Sequence, residues 1–163
     1  MEFHLAQLNI AKMLYSLDDP AMKDFVDALE PINALADKSD GFIWRLTGYG
    51  DNATSLKIYG DEFLLVNMSV WKNIDSLHQY VYQSDHVEIL KRKKEWFSKM
   101  SAMYMAMWYI PEGHLPTIEE AEERLTYRRE HGDTPFAFSF KKPFTALEAA
   151  GYPGPPKPTR HLP

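Results

Sequence analysis

Residues 63–71 restrict the fold of this chain more than any other segment, because two sets of side chains alternate along them. One set comprises Leu64, Val66, Met68 and Val70, and the other comprises Phe63, Leu65, Asn67, Ser69 and Trp71. Successive side chains of a β-strand point to opposite faces of its sheet. We therefore predict a strand with one apolar face and one partly polar face. A second strand is predicted at 3–12, where Gln7 and Asn9 share a face.

Helix caps and helical spacing predict most of the remaining elements. Asp19 can cap free backbone N–H groups, and Pro20 suits the first position of the helix that follows. Pro31 should break or kink that helix, because its ring clashes with the preceding turn. Thr117 and Glu120 form a capping box at the start of a later helix. The other predicted elements are strands at 42–49 and 102–110 and helices at 74–82 and 85–100.

The order of these elements is strand, helix, strand, strand, helix pair, strand. It corresponds to the split βαβ pattern and predicts an α+β, ferredoxin-like fold, with an antiparallel sheet and helices on one face. The other face of such a sheet needs a cover, which a second subunit usually supplies in a small protein. We therefore expect a homodimer. Residues 1–140 are predicted to form a single domain, followed by a Pro- and Gly-rich C-terminal tail at 141–163.

Composition excludes several classes of function. The 18 Lys and Arg residues against 23 Asp and Glu give a net charge of -5, which argues against nucleic-acid binding through bulk positive charge. No apolar run approaches the roughly 20 residues of a membrane span, and the N-terminus lacks a signal-peptide pattern. We expect a cytoplasmic protein without a membrane partner. The absence of cysteine excludes thiolate catalysis, and the six histidines show no metal-binding spacing, so no metal is expected.

Several segments, in fixed order, resemble one known family. They are Leu5–Asn9, Pro31–Ala36, Gly41–Leu46, Val66–Trp71, Gly113–Thr117 and Thr134–Phe140. Together they are similar to an uncharacterised bacterial and fungal family (DUF3291-like) of the dimeric α/β-barrel superfamily. The resemblance implies a ferredoxin-like fold and a homodimer. It implies no reaction, because that family has no settled one.

More distantly, the arrangement resembles the antibiotic-biosynthesis and haem-degrading monooxygenases of the same superfamily. Those enzymes use an Asn on the first strand, a Trp that closes the third strand and a His on the following helix. Asn9, Trp71 and His86 occupy comparable places in this sequence. The resemblance therefore implies a catalytic site built from these three residues.

His86 also has a physical argument of its own. It follows Ser84, a candidate cap, at the start of a predicted helix, where the positive end of the helix dipole disfavours imidazolium. A neutral imidazole is the form that a general base or a haem ligand requires. The alternative is a histidine that only packs or hydrogen-bonds near a helix end. Asn9 and Trp71 have similar alternatives, as a satisfied strand amide and a core side chain.

Seven further residues are candidate substrate contacts: Trp44, Arg45, Arg92, Trp96, Tyr104, Trp108 and His114. The aromatic rings could enclose a pocket or belong to the core. Arg45 either binds a substrate carboxylate or pairs with a structural Asp or Glu. Arg92 and Trp96, four residues apart on a predicted helix, could reach a ligand together. His114 could lie at the mouth of a cleft or order its loop.

These residues lead to three hypotheses about function. The first is a cofactor-independent, monooxygenase-like enzyme that acts on a small hydrophobic or aromatic ligand, with His86 as general base; isomerase, cyclase or decarboxylase chemistry could use the same residues. The second is a haem-binding or haem-degrading protein with His86 as the axial ligand. The third is a non-catalytic ligand-binding or stress-related module.

Overall fold

The computed structural model describes residues 2–47, 57–83 and 86–156, and for Gln83, His86, Val87 and Ile89 it describes the backbone alone. Its strands are β1 (Phe3–Met13), β2 (Phe42–Arg45), β3 (Leu64–Trp71), β4 (Phe97–Ser98) and β5 (Met105–Pro111). Its helices are α1 (Lys23–Lys38), α2 (Ile74–Gln83), α3 (His86–Lys91), α4 (Ile118–His131) and α5 (Ala146–Ala150), with 3₁₀ turns at Pro20–Met22 and Lys93–Glu95. None of the helices described is long and apolar enough to cross a bilayer.

The strands form one antiparallel sheet with β1 at its centre. β3 lies on one side of β1 and is followed outward by β2, while β4 and β5 pair with successive parts of the other side of β1. Leu5 lies opposite Trp71 and Asn9 lies opposite Asn67 in the register between β1 and β3. The sheet does not close into a barrel. The predicted α+β class with an antiparallel sheet is confirmed.

The two faces of the sheet are named here by the numbering of β1. The even face carries Ala6, Leu8 and Ile10, and the odd face carries Leu5, Gln7, Asn9 and Met13. Side chains from β3 and β5 extend the apolar even face, where Val66, Met68, Val70, Ala106, Trp108 and Ile110 are buried. Helix α4 covers this face with Ala121 and Leu125, which lie four residues apart on one side of the helix.

The odd face lies beneath α1 and α2. Ala36 of α1 and Leu77 of α2 pack in one apolar cluster with Leu5 and Trp71. The prediction that helices lie on one face of the sheet is therefore wrong, because α4 buries the even face within the same chain. The expectation of a homodimer based on an uncovered face loses its support for the same reason.

Two predicted helix boundaries are also corrected. Helix α1 continues past Pro31, so the predicted break does not occur there, whereas the alternative of a kink stays a prediction. The helix predicted at 85–100 ends at Lys91, and the chain then forms a 3₁₀ turn and β4. Because the helix ends there, the Trp96 carbonyl accepts a hydrogen bond from the Leu14 N–H at 2.8 Å. Phe97 pairs with Met13 of β1.

Residues beyond 140 make contacts with the rest of the domain. The Tyr109 hydroxyl donates to the Phe144 carbonyl at 2.7 Å, and the hydroxyls of Tyr127 and Tyr152 are 2.7 Å apart. Thr145 caps the short helix α5. The domain boundary placed at residue 140 stays a prediction, although the chain packs across it. The end of the predicted tail, 157–163, lies outside the described residues.

Candidate functional site

A group of four polar side chains interrupts the odd face of the sheet. These residues, Gln7 and Asn9 of β1 with Asn67 and Ser69 of β3, are called the polar patch below. The Gln7 side-chain amide donates to the Ser69 hydroxyl oxygen at 2.9 Å and to the side-chain Oδ1 of Asn67 at 3.1 Å. Gln7 and Ser69 are buried, whereas Asn9 and Asn67, which lie opposite each other, are exposed. The polar patch is therefore buried at one end and open to solvent at the other.

The polar patch lies between two separate apolar clusters. Leu5 and Trp71 belong to the cluster on one side of it. Met13, Phe25 and Trp96 belong to the cluster on the other side. Polar side chains in the middle of a covered sheet face are costly unless they are hydrogen-bonded or hydrated. The exposed Asn9 and Asn67 offer polar contacts between the two apolar clusters.

The Ser69 hydroxyl is the central atom of the polar patch. It accepts hydrogen bonds from the Gln7 amide and from the Trp71 indole N–H, the latter at 2.8 Å. A serine hydroxyl has two acceptor positions and one donor. Both acceptor positions are occupied, and no acceptor for the Ser69 O–H lies within hydrogen-bond distance in the part of the chain that the structure describes. Ser69 can therefore donate a hydrogen bond to a ligand oxygen.

Aromatic side chains form the apolar wall beside Ser69. Trp71 is 1% exposed, and its ring stacks on Tyr80 of α2 with centroids 5.2 Å apart and contacts the edge of Phe42 at 5.4 Å. The Tyr80 hydroxyl donates to the Ile32 carbonyl of α1 at 3.3 Å, which ties the two helices together. Burial raises the pKa of the Tyr80 phenol to about 12, so it stays neutral at physiological pH.

Arg45 lies on the same face, opposite Ser69 in the register of β2 and β3. Its guanidinium binds both carboxylate oxygens of Asp37, at 2.8 and 3.3 Å. The Arg45 hydrogen bonds hold the pKa of the Asp37 carboxyl below its usual value. Of the two roles proposed for Arg45, the structure shows the pairing with a structural carboxylate.

Comparison with known proteins identifies the family. The family described as Domain of unknown function (DUF3291) matches residues 4–152. The chain belongs to the DUF3291 family. No curated protein matches it.

Two solved structures are similar to this DUF3291 chain. A conserved protein from Methanosarcina mazei Go1 is 16% identical, with a TM-score of 0.46, and the match covers 66% of this chain and 91% of that protein. A protein of unknown function from Nitrosomonas europaea is 11% identical, with a TM-score of 0.43, and the match covers 71% of this chain and 96% of that protein.

The structure places two of the three predicted catalytic residues of the DUF3291 chain on one face. Asn9 and Trp71 both lie on the odd face, with Ser69 and Gln7 between them. His86 is the first residue of α3, which packs against α1 and α2 on the same side of the sheet. The side chain of His86 and its predicted cap, Ser84, lie outside the described parts of the chain. The convergence of His86 on Asn9 and Trp71 therefore stays a prediction.

Trp44 and Trp108 of the DUF3291 chain do not join this site. Trp108 is fully buried in the even-face core, and Trp44 packs against the same cluster. The register shifts between Phe42 and Trp44, so that Phe42 lies opposite Trp71 and Trp44 lies opposite Val70. This β-bulge turns Trp44 to the even face, whereas simple alternation would have placed it with Phe42. Of the two roles left open for Trp44 and Trp108, enclosing a pocket or belonging to the core, the structure shows the core role.

The remaining predicted contacts of the DUF3291 chain have structural partners. Arg92 binds Asp24 and Glu95 and lies over the ring of Trp96, with its guanidinium carbon 4.8 Å from the ring centroid. Trp96 is itself buried against Phe25. Arg92 and Trp96 thus contact each other in the packing between α1 and the chain before β4, and not as two positions of one helix. Their joint contact with a ligand stays a prediction.

Tyr104 and His114 of the DUF3291 chain lie at the ends of β5. Tyr104 is exposed just before the strand, and its carbonyl accepts a hydrogen bond from the Ile10 N–H at 2.9 Å. The His114 imidazole and the Glu120 carboxylate are 2.8 Å apart, so His114 orders its loop against the start of α4. Among the described residues, no group of three acidic or histidine side chains could hold a metal ion.

Sequence reasoning did not select Gln7, Asn67, Ser69 or Tyr80 as site residues of the DUF3291 chain. Strand alternation does place the first three on partly polar faces, so a signal for them was present. Strand alternation could not show that the polar faces of β1 and β3 lie side by side, because the register depends on how the two strands pair and not on either strand alone. Tyr80 lies on an ordinary helical pattern and gave no signal.

Proposed function

We propose that this protein binds a small hydrophobic or aromatic molecule on the polar patch, between the sheet and helices α1 and α2. The observation that carries the proposal is the polar patch itself, which is open at Asn9 and Asn67 between two apolar clusters. Ligand sites are typically apolar surfaces with a few convergent polar groups. The arrangement fits a flat molecule whose rings contact the apolar clusters.

The hydrogen-bonding groups specify the polar part of this ligand. The buried Ser69 hydroxyl accepts hydrogen bonds from Gln7 and Trp71, and its own O–H has no acceptor among the described residues. Asn9 and Asn67 add amide groups at the open end, and each amide both donates and accepts. A carbonyl or enol oxygen matches the Ser69 O–H. The proposed ligand is thus an aromatic, polyketide-like ketone or phenol.

For the reaction we propose cofactor-independent oxygenation, as the resemblance to the monooxygenases of the dimeric α/β-barrel superfamily suggests. His86, as a neutral imidazole at the start of α3, would remove a proton from a phenolic or enolic substrate. In a substrate with a CH₂ group beside the aromatic rings, the carbanion would then react with O₂. The CH₂ becomes a carbonyl, and the second oxygen atom leaves as water with both hydrogens. The substrate supplies all the electrons, so no other reductant is consumed.

The same resemblance leads us to propose a ferredoxin-like fold and a homodimer of the dimeric α/β-barrel type. The observed order, β2-β3-β1 followed by β5, is consistent with that fold. Light scattering tests the assembly, for which we expect about twice the 18.9 kDa of one chain. A single species of 18.9 kDa at micromolar concentration would contradict the dimer and leave the polar-patch proposal intact.

Anthrone provides a direct test of ligand binding, because it has aromatic rings, a carbonyl and a CH₂ group. Under nitrogen, anthrone should quench tryptophan fluorescence and shift the side-chain amide NMR signals of Asn9 and Asn67. Replacing Ser69 by Ala removes the donor and should weaken binding by about tenfold. The matched control Ser101→Ala changes an exposed serine outside the polar patch and should bind anthrone like the wild type.

Turnover is tested in air by the uptake of O₂ and the appearance of anthraquinone, measured against the spontaneous oxidation of anthrone. The wild type should accelerate the reaction, and His86→Ala should lose the acceleration while still binding anthrone under nitrogen. Binding without acceleration would exclude the oxygenase and leave a ligand-binding module. Amide signals of Asn9 and Asn67 that do not respond to anthrone would contradict the proposed site for this class of ligand.

A further inference from the structure

A groove lies at the edge of the even face, on the opposite side of the sheet from the polar patch. Its volume is about 390 Å³, within the range of small-molecule sites. Lys12 at the end of β1, Tyr59, Asp61, Lys99 after β4 and Arg129 on α4 are among the residues that line it. Segments distant in sequence thus bring three cations and one carboxylate together.

The charges of this groove do not cancel. Lys12 binds Asp61, and this hydrogen bond lowers the pKa of the Asp61 carboxyl, which is therefore ionised at neutral pH. Lys99 and Arg129 contact no carboxylate among the residues described. Two uncompensated positive charges therefore face one groove in a chain whose net charge is -5. Such a concentration of charge attracts anions.

Arg129 is held in place before any ligand binds. Its Nε–H donates to the Met103 carbonyl at 2.8 Å, and its guanidinium carbon lies 4.9 Å from the centroid of the Tyr59 ring. The Tyr59 hydroxyl is in turn 2.8 Å from the Thr126 hydroxyl of α4. The terminal N–H groups of Arg129 have no hydrogen-bond acceptor in the described part of the chain. A fixed guanidinium with free terminal donors loses little entropy when it binds an oxyanion.

We propose that this groove binds the phosphate group of a small phosphomonoester. A phosphomonoester carries a charge of about −1.5 to −2 at neutral pH, which matches the two uncompensated cations. Arg129 supplies two parallel N–H donors, the geometry that phosphate oxygens accept. Ser98, Lys99 and Ser101 also line the groove, and their hydroxyl and amine groups would bind the remaining oxygens. A single carboxylate would leave one cation without a counter-charge.

The proposal is tested with inorganic phosphate and phenyl phosphate, and with acetate as the monoanion for comparison. Binding is followed on the full chain by isothermal titration calorimetry and by backbone amide NMR shifts. Binding of both phosphates should reach saturation, and both should shift the backbone amide signals of residues 98–101 and 129. Acetate should bind at least tenfold more weakly. Arg129→Gln and Lys99→Gln should each weaken the phosphates by about tenfold or more. Lys72→Gln, which removes a charge at the other end of β3, should leave affinity unchanged.

Three results would overturn the proposal. They are phosphate binding that shows no saturation, acetate binding as tight as that of the phosphates, and a loss of phosphate affinity in Lys72→Gln as large as the loss in Lys99→Gln. Arg129→Gln also removes the hydrogen bond to Met103, so Lys99→Gln, an exposed side chain, separates loss of the ligand contact from loss of structure. The site is independent of the polar patch. Phosphate binding and anthrone binding can therefore succeed or fail separately.

Discussion

Replacing Ser69 by Ala should destabilise the protein even when no ligand is present. The Trp71 indole N–H is buried and loses its acceptor, whereas the Gln7 amide keeps its bond to Asn67. A buried donor without a partner costs about 1–3 kcal/mol. For a chain of this size each kcal/mol lowers the Tm by about 2–4 °C, which gives a decrease of roughly 2–12 °C.

A double-mutant cycle isolates the contribution of this hydrogen bond. Trp71→Phe removes the donor, so the Ser69→Ala change should cost less in that background, with a coupling free energy of about 1 kcal/mol. Equilibrium unfolding in urea, read by circular dichroism, measures all four proteins. Ser101→Ala, at an exposed position, should lie within about 0.5 kcal/mol of the wild type. If Ser69→Ala is as stable as Ser101→Ala, or if its effect adds to that of Trp71→Phe, the polar patch is not organised around Ser69.

Three further predictions follow from other parts of the structure. Burial raises the pKa of Tyr80 to about 12 in the folded chain, whereas the phenol of the unfolded chain has its ordinary pKa of about 10, so the free energy of unfolding should fall as pH rises from 10 to 12. In urea unfolding the Tyr80→Phe variant should lose less stability over the same pH range. Gly41→Ala should lower the Tm more than Gly113→Ala: both glycines have positive φ, but an added Cβ at Gly41 overlaps the Ser76 side chain whereas Gly113 faces open space. Haem added to the protein should give no Soret shift that depends on His86; a shift that His86→Ala abolishes would favour the haem hypothesis over the oxygenase.

The sequence was sufficient to predict two helix caps and the alternation of one strand, which local interactions decide. Asp19 accepts a hydrogen bond from the Ala21 N–H, and Thr117 accepts one from the Glu120 N–H, as their positions before helices predicted. The strand predicted from the alternation at 63–71 is present as β3, with Asn67 and Ser69 on one face. These features depend on residues a few positions apart, so a single sequence contains them.

The candidate site was only partly predictable because it depends on how strands align. Gln7 and Asn9 were placed on one face of β1, but only the register with β3 brings them beside Ser69 and Asn67. The bulge in β2 moved Trp44 to the opposite face, and no local pattern indicated it. The segment at 93–98 does not continue the helix, because Trp96 hydrogen-bonds Leu14 and Phe97 pairs with Met13 at the end of β1, both more than 80 residues earlier in the chain.

By itself, the sequence determined which side chains of β1 and β3 share a face, because the backbone repeat fixes that relation wherever no bulge interrupts the strand. Only the tertiary structure decided which faces meet. Helix α4 has an apolar side in Ala121 and Leu125, yet nothing in its periodicity states which surface of the sheet it covers. That choice depends on the burial of apolar area summed over distant segments. Because α4 takes the even face, the odd face holds the polar patch beneath α1 and α2.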